Sequence, residues 1–322
     1  MLTRWYKRDE LGLRMAYFTC GSSLGNAFGS LIASGVLTTM NNRLGYAAWR
    51  WLFFIEGALT CILAVVALYI VPDFPTTPAS WLTAEEQMLA QQRLEEDLKG
   101  VERDPSKSVH ESGFVEALTD WTVWWLAIAL TALNAALSFG PFFPILAATM
   151  GYGPTVTLLL CSPPWLVGVT TSFIIMRRSD ATGNRFWHII GPLLMGIIGF
   201  ALAISTMNTA IRYLSLFFMA QATVSYIVLL AWVSNSIESS SKRAVAMAFI
   251  NACASAGNIG ASYLWLASWG PSYAKSYAVC ILMCLIAIVM LWVYRLHLLH
   301  LNDKLASNER ALGLPAGFRY FT

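Results

Sequence analysis

The feature that most restricts this chain is a series of eight apolar runs, each about twenty residues or longer. They lie at about 15–38, 50–71, 122–147, 155–176, 187–206, 211–236, 244–268 and 276–298. A helix of about 20 apolar residues crosses the roughly 30 Å hydrocarbon core of a bilayer. Inside that core the backbone finds no water, so each run must satisfy its own N–H and C=O groups as a helix. Charged residues make up 12% of the chain, about half the share usual in soluble domains and too few to cover a water-facing surface of this size. The reading is an all-α polytopic membrane protein with about eight transmembrane helices. Breaks as short as Met207–Ala210 leave no length to cross back, so neighbouring helices run antiparallel.

One polar stretch, 73–121, divides the runs into two and six and holds 11 of the 18 acidic residues. Within it Thr83-Ala84-Glu85-Glu86 is a capping box, in which threonine and glutamate each satisfy an orphan amide. It opens an amphipathic helix to about Leu98, with Leu82, Met88, Leu89 and Leu94 available for one face. Residues 100–112 read as a flexible linker. With the N-terminus in the cytoplasm, 17 of the 21 basic residues fall on that side, leaving Arg43, Arg50, Arg212 and Lys275 outside. That bias sets the orientation: both termini and the polar stretch are cytoplasmic. Trp49, Trp51, Trp121, Trp124, Trp187, Trp269 and Trp292 stand near helix ends, where amphipathic rings favour the membrane interface.

Several function classes find no residues to carry them. Cys20, Cys61, Cys161, Cys253, Cys280 and Cys284 lie inside apolar runs without Cys-x-x-Cys spacing, as packing residues do. His297 and His300 share a helix face, but no further ligand joins them. Glu56 is the acidic residue well within a span, and no histidine lies at mid-depth. Neither an enzyme nor a cofactor or metal site is expected. The basic residues are spread over loops, which argues against a nucleic-acid patch. Met1 to Arg14 lacks the short apolar core and small-residue cleavage site of a signal peptide. Trp5-Tyr6-Lys7-Arg8 reads instead as the cytoplasmic end of a preceding helix.

Polar residues inside the spans are the functional candidates, because lipid makes them costly. In the first helix Gly21, Gly25 and Gly29 form a close-packing face. Asn26 is either an interhelical hydrogen-bonder or a cavity residue. Glu56 is either functional or paired with Arg50. The third helix carries Asn134, then Gly140-Pro141 and Pro144, which predict a kink in its outer half. Ser162-Pro163-Pro164 predicts a second break, in the fourth helix. The loop Arg177-Arg178-Ser179-Asp180-Ala181-Thr182-Gly183-Asn184-Arg185 suits a cytoplasmic hinge, and His188 is interfacial. Gln221 and Tyr226 lie at mid-depth of the sixth helix, Gln221 facing the bundle interior.

The seventh helix repeats the first. Met247-Ala248-Phe249-Ile250, Ser255, Gly257, Asn258 and Ser262 follow Met15-Ala16-Tyr17-Phe18, Ser23, Gly25, Asn26 and Ser30 at a constant spacing of 232 residues. Both segments run outward from a basic cytoplasmic loop. The spacing takes in six helices, and parallel six-helix repeats are the two halves of major facilitator transporters.

The residues themselves resemble one family of that superfamily. Trp5 to Arg14, Trp49-Arg50-Trp51-Leu52-Phe53-Phe54-Ile55-Glu56-Gly57 and Trp81-Leu82-Thr83-Ala84-Glu85-Glu86 are similar to the anion:cation symporters, particularly their fungal allantoate-permease branch. Lys242-Arg243-Ala244, Gly257-Asn258-Ile259, Gly270-Pro271-Ser272-Tyr273 and Phe318-Arg319-Tyr320 fit as well. The loop at Asp180–Arg185 lacks one basic residue of the superfamily motif, and Ile237-Glu238-Ser239-Ser240-Ser241 replaces a glycine-containing turn. The resemblance implies a major facilitator-type fold whose first four helices, with the principal anion-binding arginine, would lie upstream of Met1. Residues 1–72 are then the last two helices of an N-terminal half, 73–121 the central cytoplasmic linker, 122–298 the six-helix C-terminal half, and 299–322 a cytoplasmic tail. It further implies a plasma-membrane symporter of protons and a small organic anion, such as a ureide or a vitamin-like carboxylate. Asn134, Gln221 and Tyr226 are the expected substrate contacts. Asn26, Asn258 and Glu56 are expected at helix packing or the cavity, and Arg178, Asp180 and Arg185 at the cytoplasmic gate. The other reading is a truncated or sensor-like membrane protein that does not transport by itself.

Overall fold

Two helices, α1 (Leu11–Thr39) and α2 (Ala48–Ile70), precede the polar stretch, and α3 (Ala84–Lys99) and α4 (Gly113–Thr119) lie within it. The third apolar run forms α5 (Trp121–Ala136), a 3-10 turn at Leu137–Phe139 and α6 (Phe143–Ala148). Then come α7 (Pro154–Thr182), α8 (Arg185–Ser205), α9 (Thr209–Ser236), α10 (Ser240–Ser262) and α11 (Ala274–Leu312). This is a computed structural model, and it describes residues 5–6, 11–71, 83–99, 113–237, 240–312 and 319–322. The expected linker at 100–112 and the side chains of Leu82 and Leu94 lie outside the described residues.

The chain is an integral membrane protein. Seven helices, with α5 and α6 taken as one, are long and apolar enough to cross a membrane among the described residues. The eighth expected span, α1, falls short on composition because Gly, Ser, Thr and Asn dilute its apolar content. Its 29 residues still reach about 43 Å at the usual helical rise.

Element boundaries follow local chemistry. Asp120 caps α5 by accepting from the Thr122 amide at 2.9 Å. Gly140-Pro141 breaks the third span where expected, since proline removes a donor and crowds the preceding turn. The second expected break does not occur: α7 is continuous, with Pro163 and Pro164 inside it. Transmembrane helices tolerate proline where neighbours meet the freed backbone groups, and here α7 is packed along α1. The eighth span continues well past 298, because the polar residues after His300 leave the bilayer without a helix breaker before Leu312. The Thr83 capping box forms: the Thr83 amide and hydroxyl donate to Glu86 at 3.0 and 2.9 Å, and the Glu86 amide donates back at 3.3 Å. Met88 and Leu89 on that helix are exposed.

Lipid tails are as apolar as leucine, so packing in the membrane rests on close contact and interhelical hydrogen bonds. The broadest seam joins α8 to α9. A Cβ on Gly199 would lie 2.9 Å from the Met219 amide, Phe218 Cβ and the Ser215 carbonyl, and Ser225 donates to the Ile189 carbonyl at 2.8 Å. Around that seam α11 packs on α8 and α5, α10 on α5 and α4, and α7 on α9. Helix α1 lies antiparallel along α7: Leu13 meets Asp180 at one end and Ser34 meets Thr155 at the other. Ser162 donates across the middle to the Ala27 carbonyl at 2.8 Å. Helix α2 touches α1 alone to any extent, and none of its apolar window is buried.

The two segments of the repeat both lie on helices, α1 and α10. Ser30 donates to the Asn26 carbonyl at 2.8 Å, and Ser262 to the Asn258 carbonyl at 2.9 Å. Their packing faces are opposite. Ala27, buried against α7, corresponds to Ile259 on α10, which is exposed, and Ser34, also buried there, corresponds to Leu266, exposed just beyond the end of α10. Ile250 and Ala254, buried on α10, correspond to Phe18 and Ser22 on α1, which are also exposed.

Candidate functional site

At the end of the bundle where α7 turns into α8, Gly183 closes α7 with φ 65°, a left-handed cap that glycine adopts without strain. The chain reverses at once into α8, which brings Asp180 and Arg185 together at 2.5 Å. Arg185 is 1% exposed and also donates to Ser179 Oγ at 3.1 Å. The second Asp180 oxygen accepts from the Leu13 amide at 2.7 Å, in the first turn of α1, where the helix carries partial positive charge. One carboxylate therefore ties α1 to the α7–α8 turn. Arg178, the third expected gate residue, is exposed and joins neither.

The last residues of the chain cover this turn, a contact the sequence reading missed. The Phe321 ring lies 5.5 Å from the Arg185 guanidinium, and its carbonyl accepts from Trp232 Nε1 at 2.8 Å. Tyr320 and Asn302 exchange two hydrogen bonds, at 2.9 and 3.0 Å. Arg319 grips Glu309 through both carboxylate oxygens. Nearby, Lys242 at the start of α10 reaches Asp120 at 2.9 Å and Glu116 at 3.7 Å. Burial pushes the Asp120 carboxyl up, but its bonds to Lys242 and Thr122 together outweigh this and hold it below its usual value.

Mid-chain polar residues occupy two settings. Tyr226, half-buried on α9, donates to Asn251 Oδ1 on α10 at 3.0 Å. Asn251 in turn donates to the Met247 carbonyl at 2.8 Å. Asn251 is not among the residues expected from the sequence, although an amide within an apolar run is itself a signal. Gln221 is in the interior as expected, 2% exposed, with its amide on the Phe217 carbonyl at 3.2 Å and its Oε1 enclosed without a partner. Asn134 is half-buried on α5. No hydrogen bond links Asn134, Gln221 and Tyr226 to one another. Asn26, Asn258 and Glu56 lie on exposed faces. Glu56 forms no ion pair with Arg50, which instead lies over the Trp49 and Tyr46 rings at 5.3 and 5.9 Å.

The other end of the bundle carries a cluster of rings. Trp265 donates to Ser138 at 3.0 Å, stacks on Phe142 at 5.7 Å and meets Tyr273 and Tyr277. Arg212, buried at the start of α9, donates to the Pro271 and Ser272 carbonyls. Tyr226, Asn251, Gln221 and Asn134 offer neutral hydrogen-bonding groups that can bind and release a solute, and among the described residues they join no nucleophile–base pair.

Compared with known proteins, residues 1–262 match the family model of the Major Facilitator Superfamily. An MFS transporter, prlL, of a fungal species is 32% identical over 255 residues, covering 77% of this chain and 50% of that protein. The major facilitator-type transporter hxnP of Emericella nidulans is 26% identical, over 98% of this chain and 63% of that one. The solved proton:xylose symporter XylE, bound to 6-bromo-6-deoxy-D-glucose, superposes with a TM-score of 0.69 at 17% identity, over 91% of this chain and 66% of that one. The chain spans about half the length of the first relatives it matches.

Proposed function

The chain belongs to the Major Facilitator Superfamily, and from that premise we propose that it contributes to a secondary transporter working by alternating access. In this reading residues 122–298 are the C-terminal half, 1–72 end the N-terminal half, 73–121 link them, and 299–322 form the tail. A full N-terminal half of this fold would hold four further helices ahead of these two. Both termini face the cytoplasm across the plasma membrane. The substrate is a small organic anion, a ureide or a vitamin-like carboxylate, moving with a proton. Likeness to the anion:cation symporters supports the anionic class, and the family and its transporter-named relatives favour transport over catalysis.

The reading rests on Asp180. Its carboxylate is shared between Arg185 and the first turn of α1, so it spans the boundary between the two halves. A bond of that kind must break for the cytoplasmic side to open when the halves rock about a central site. Arg178 lies beside this gate. Tyr226 with Asn251, Asn134 and Gln221 are the proposed substrate contacts, and Asn26, Asn258 and Glu56 belong to packing or cavity faces that the preceding helices would cover.

A second reading has its own observation. The exposed α2 favours a membrane protein that does not transport by itself. Uptake of radiolabelled allantoate and nicotinate into proteoliposomes under an inward proton gradient separates the two. The chain alone is compared with a version joined to the preceding helices of a full-length relative. Gradient-driven uptake by the joined protein, reduced in Tyr226→Phe, supports symport. Uptake by neither, with both proteins folded, defeats it.

A further inference from the structure

The cytoplasmic ends of α8 and α11 hold a cation that the protein leaves unneutralised. Arg295 lies 5.0 Å from the ring centre of Phe186, 5.5 Å from Trp187 and 6.0 Å from Trp292. The rings contact one another edge-on at 5.3, 5.3 and 6.3 Å, forming a fixed wall. Ring faces attract a guanidinium but do not cancel its charge. Arg295 forms no ion pair or hydrogen bond among the described residues, and its Nε is enclosed without an acceptor. The terminal nitrogens are not enclosed, so an acceptor can reach them from outside.

The surroundings say what kind of acceptor. Trp187 and Trp292 are 53% and 44% exposed, and neither indole N–H meets a protein acceptor. Along α11 the exposed side chains Leu282, Leu285, Val289 and Trp292 recur every three or four residues, an apolar track running from the cation towards mid-membrane. The start of α8, with its partial positive charge, lies beside the same rings, and its capping residue Asn184 makes no side-chain capping bond. A free phosphate needs no apolar track, and a zwitterionic headgroup brings its own cation.

The geometry points to a binding site for one anionic phospholipid of the cytoplasmic leaflet, between α8 and α11. Its phosphate accepts from the Arg295 terminal nitrogens, the two indoles donate to the ester region, and one acyl chain lies along the α11 track. The site is independent of whether the chain transports.

The test is native mass spectrometry of the purified whole chain in detergent, titrated with phosphatidylglycerol or phosphatidylcholine. Wild type is expected to prefer phosphatidylglycerol about fivefold, the ratio for one basic side chain near an anionic surface. Arg295→Gln should bring the ratio to one, whereas Arg43→Gln, at the opposite membrane face, should leave it unchanged. Trp292→Glu places a carboxylate at the exposed rim, one turn before the arginine, and should also abolish the preference. It provides the decision if Arg295→Gln fails to fold by circular dichroism. Equal binding of the two lipids by wild type, or an undiminished preference in Trp292→Glu or in folded Arg295→Gln, overturns the site. Displacement of phosphatidylglycerol by millimolar inorganic phosphate overturns the lipid and assigns the arginine to a free anion.

Discussion

Asp180 and Arg178 are two residues apart, yet the structure gives them opposite roles, and burial is the reason. Arg185 is enclosed with Asp180 as its charge partner, so Arg185→Ala strands a half-buried carboxylate. The expected cost is about 3–5 kcal/mol, read as a large loss in melting temperature in detergent micelles. Arg178→Ala, at an exposed position, should stay within about 0.5 kcal/mol of wild type. Tyr226→Phe removes the bond to Asn251 and should cost about 1 kcal/mol; a matching loss in Asn251→Leu without further loss in the double variant identifies the pair. The sequence made Tyr226 visible as a polar residue at a costly depth, and Asp180 and Arg185 as charged residues of one short loop between spans. It could not reveal their partners. The Leu13 amide carries no side-chain signature, and the Asn251 interaction depends on how α9 crosses α10.

At the scale of elements, the spans were legible because lipid imposes one rule on every residue in them. Sheer apolar length identified the runs, and Gly140-Pro141 located the kink. The same rule misjudged Pro163-Pro164, since a proline pair breaks an isolated helix but not one braced along its length by α1. It also ended the last span where the apolar run ends, although nothing in the sequence stops the helix until after it has left the membrane. Two seams are open to test. Gly199→Leu would push three atoms of α9 already at van der Waals limits, so α8 and α9 must separate; a destabilisation of about 1–3 kcal/mol is expected. At the α5–α10 seam, Asp120→Asn keeps a capping amide and loses the ion pair, at about 0.5–1 kcal/mol. Asp120→Ala loses the cap too, at about 1 kcal/mol more. Because the folded carboxyl titrates below its unfolded value of roughly 3.9, this contribution is complete above that pH. It disappears as pH falls through the lower folded value. The melting temperature of wild type should therefore fall towards that of Asp120→Asn in strong acid and differ from it at neutral pH.

For the whole molecule, the informative pattern is the mismatch between the two repeated helices. Helix α1 buries Ala27 and Ser34 against α7 and exposes Phe18; α10 buries Ile250 against α5 and exposes Ile259. Each helix thus leaves open the face its counterpart covers, as expected if each has two partners and meets one of them here. Lipid alone would select no such reciprocity, since it treats both faces alike. The repeat itself was legible from small residues and asparagines at constant spacing, but which face each copy uses depends on neighbours that a one-dimensional pattern does not contain. Cysteine labelling tests the account in a background whose six native cysteines are replaced by alanine. In the chain alone, Phe18→Cys and Ile259→Cys should react with a membrane-permeant maleimide, while Ser34→Cys and Ile250→Cys should not. Joining the preceding helices of a full-length relative should protect the first two and leave the others unchanged. Continued labelling of Phe18→Cys and Ile259→Cys in a folded joined protein would mean that the open faces belong to lipid.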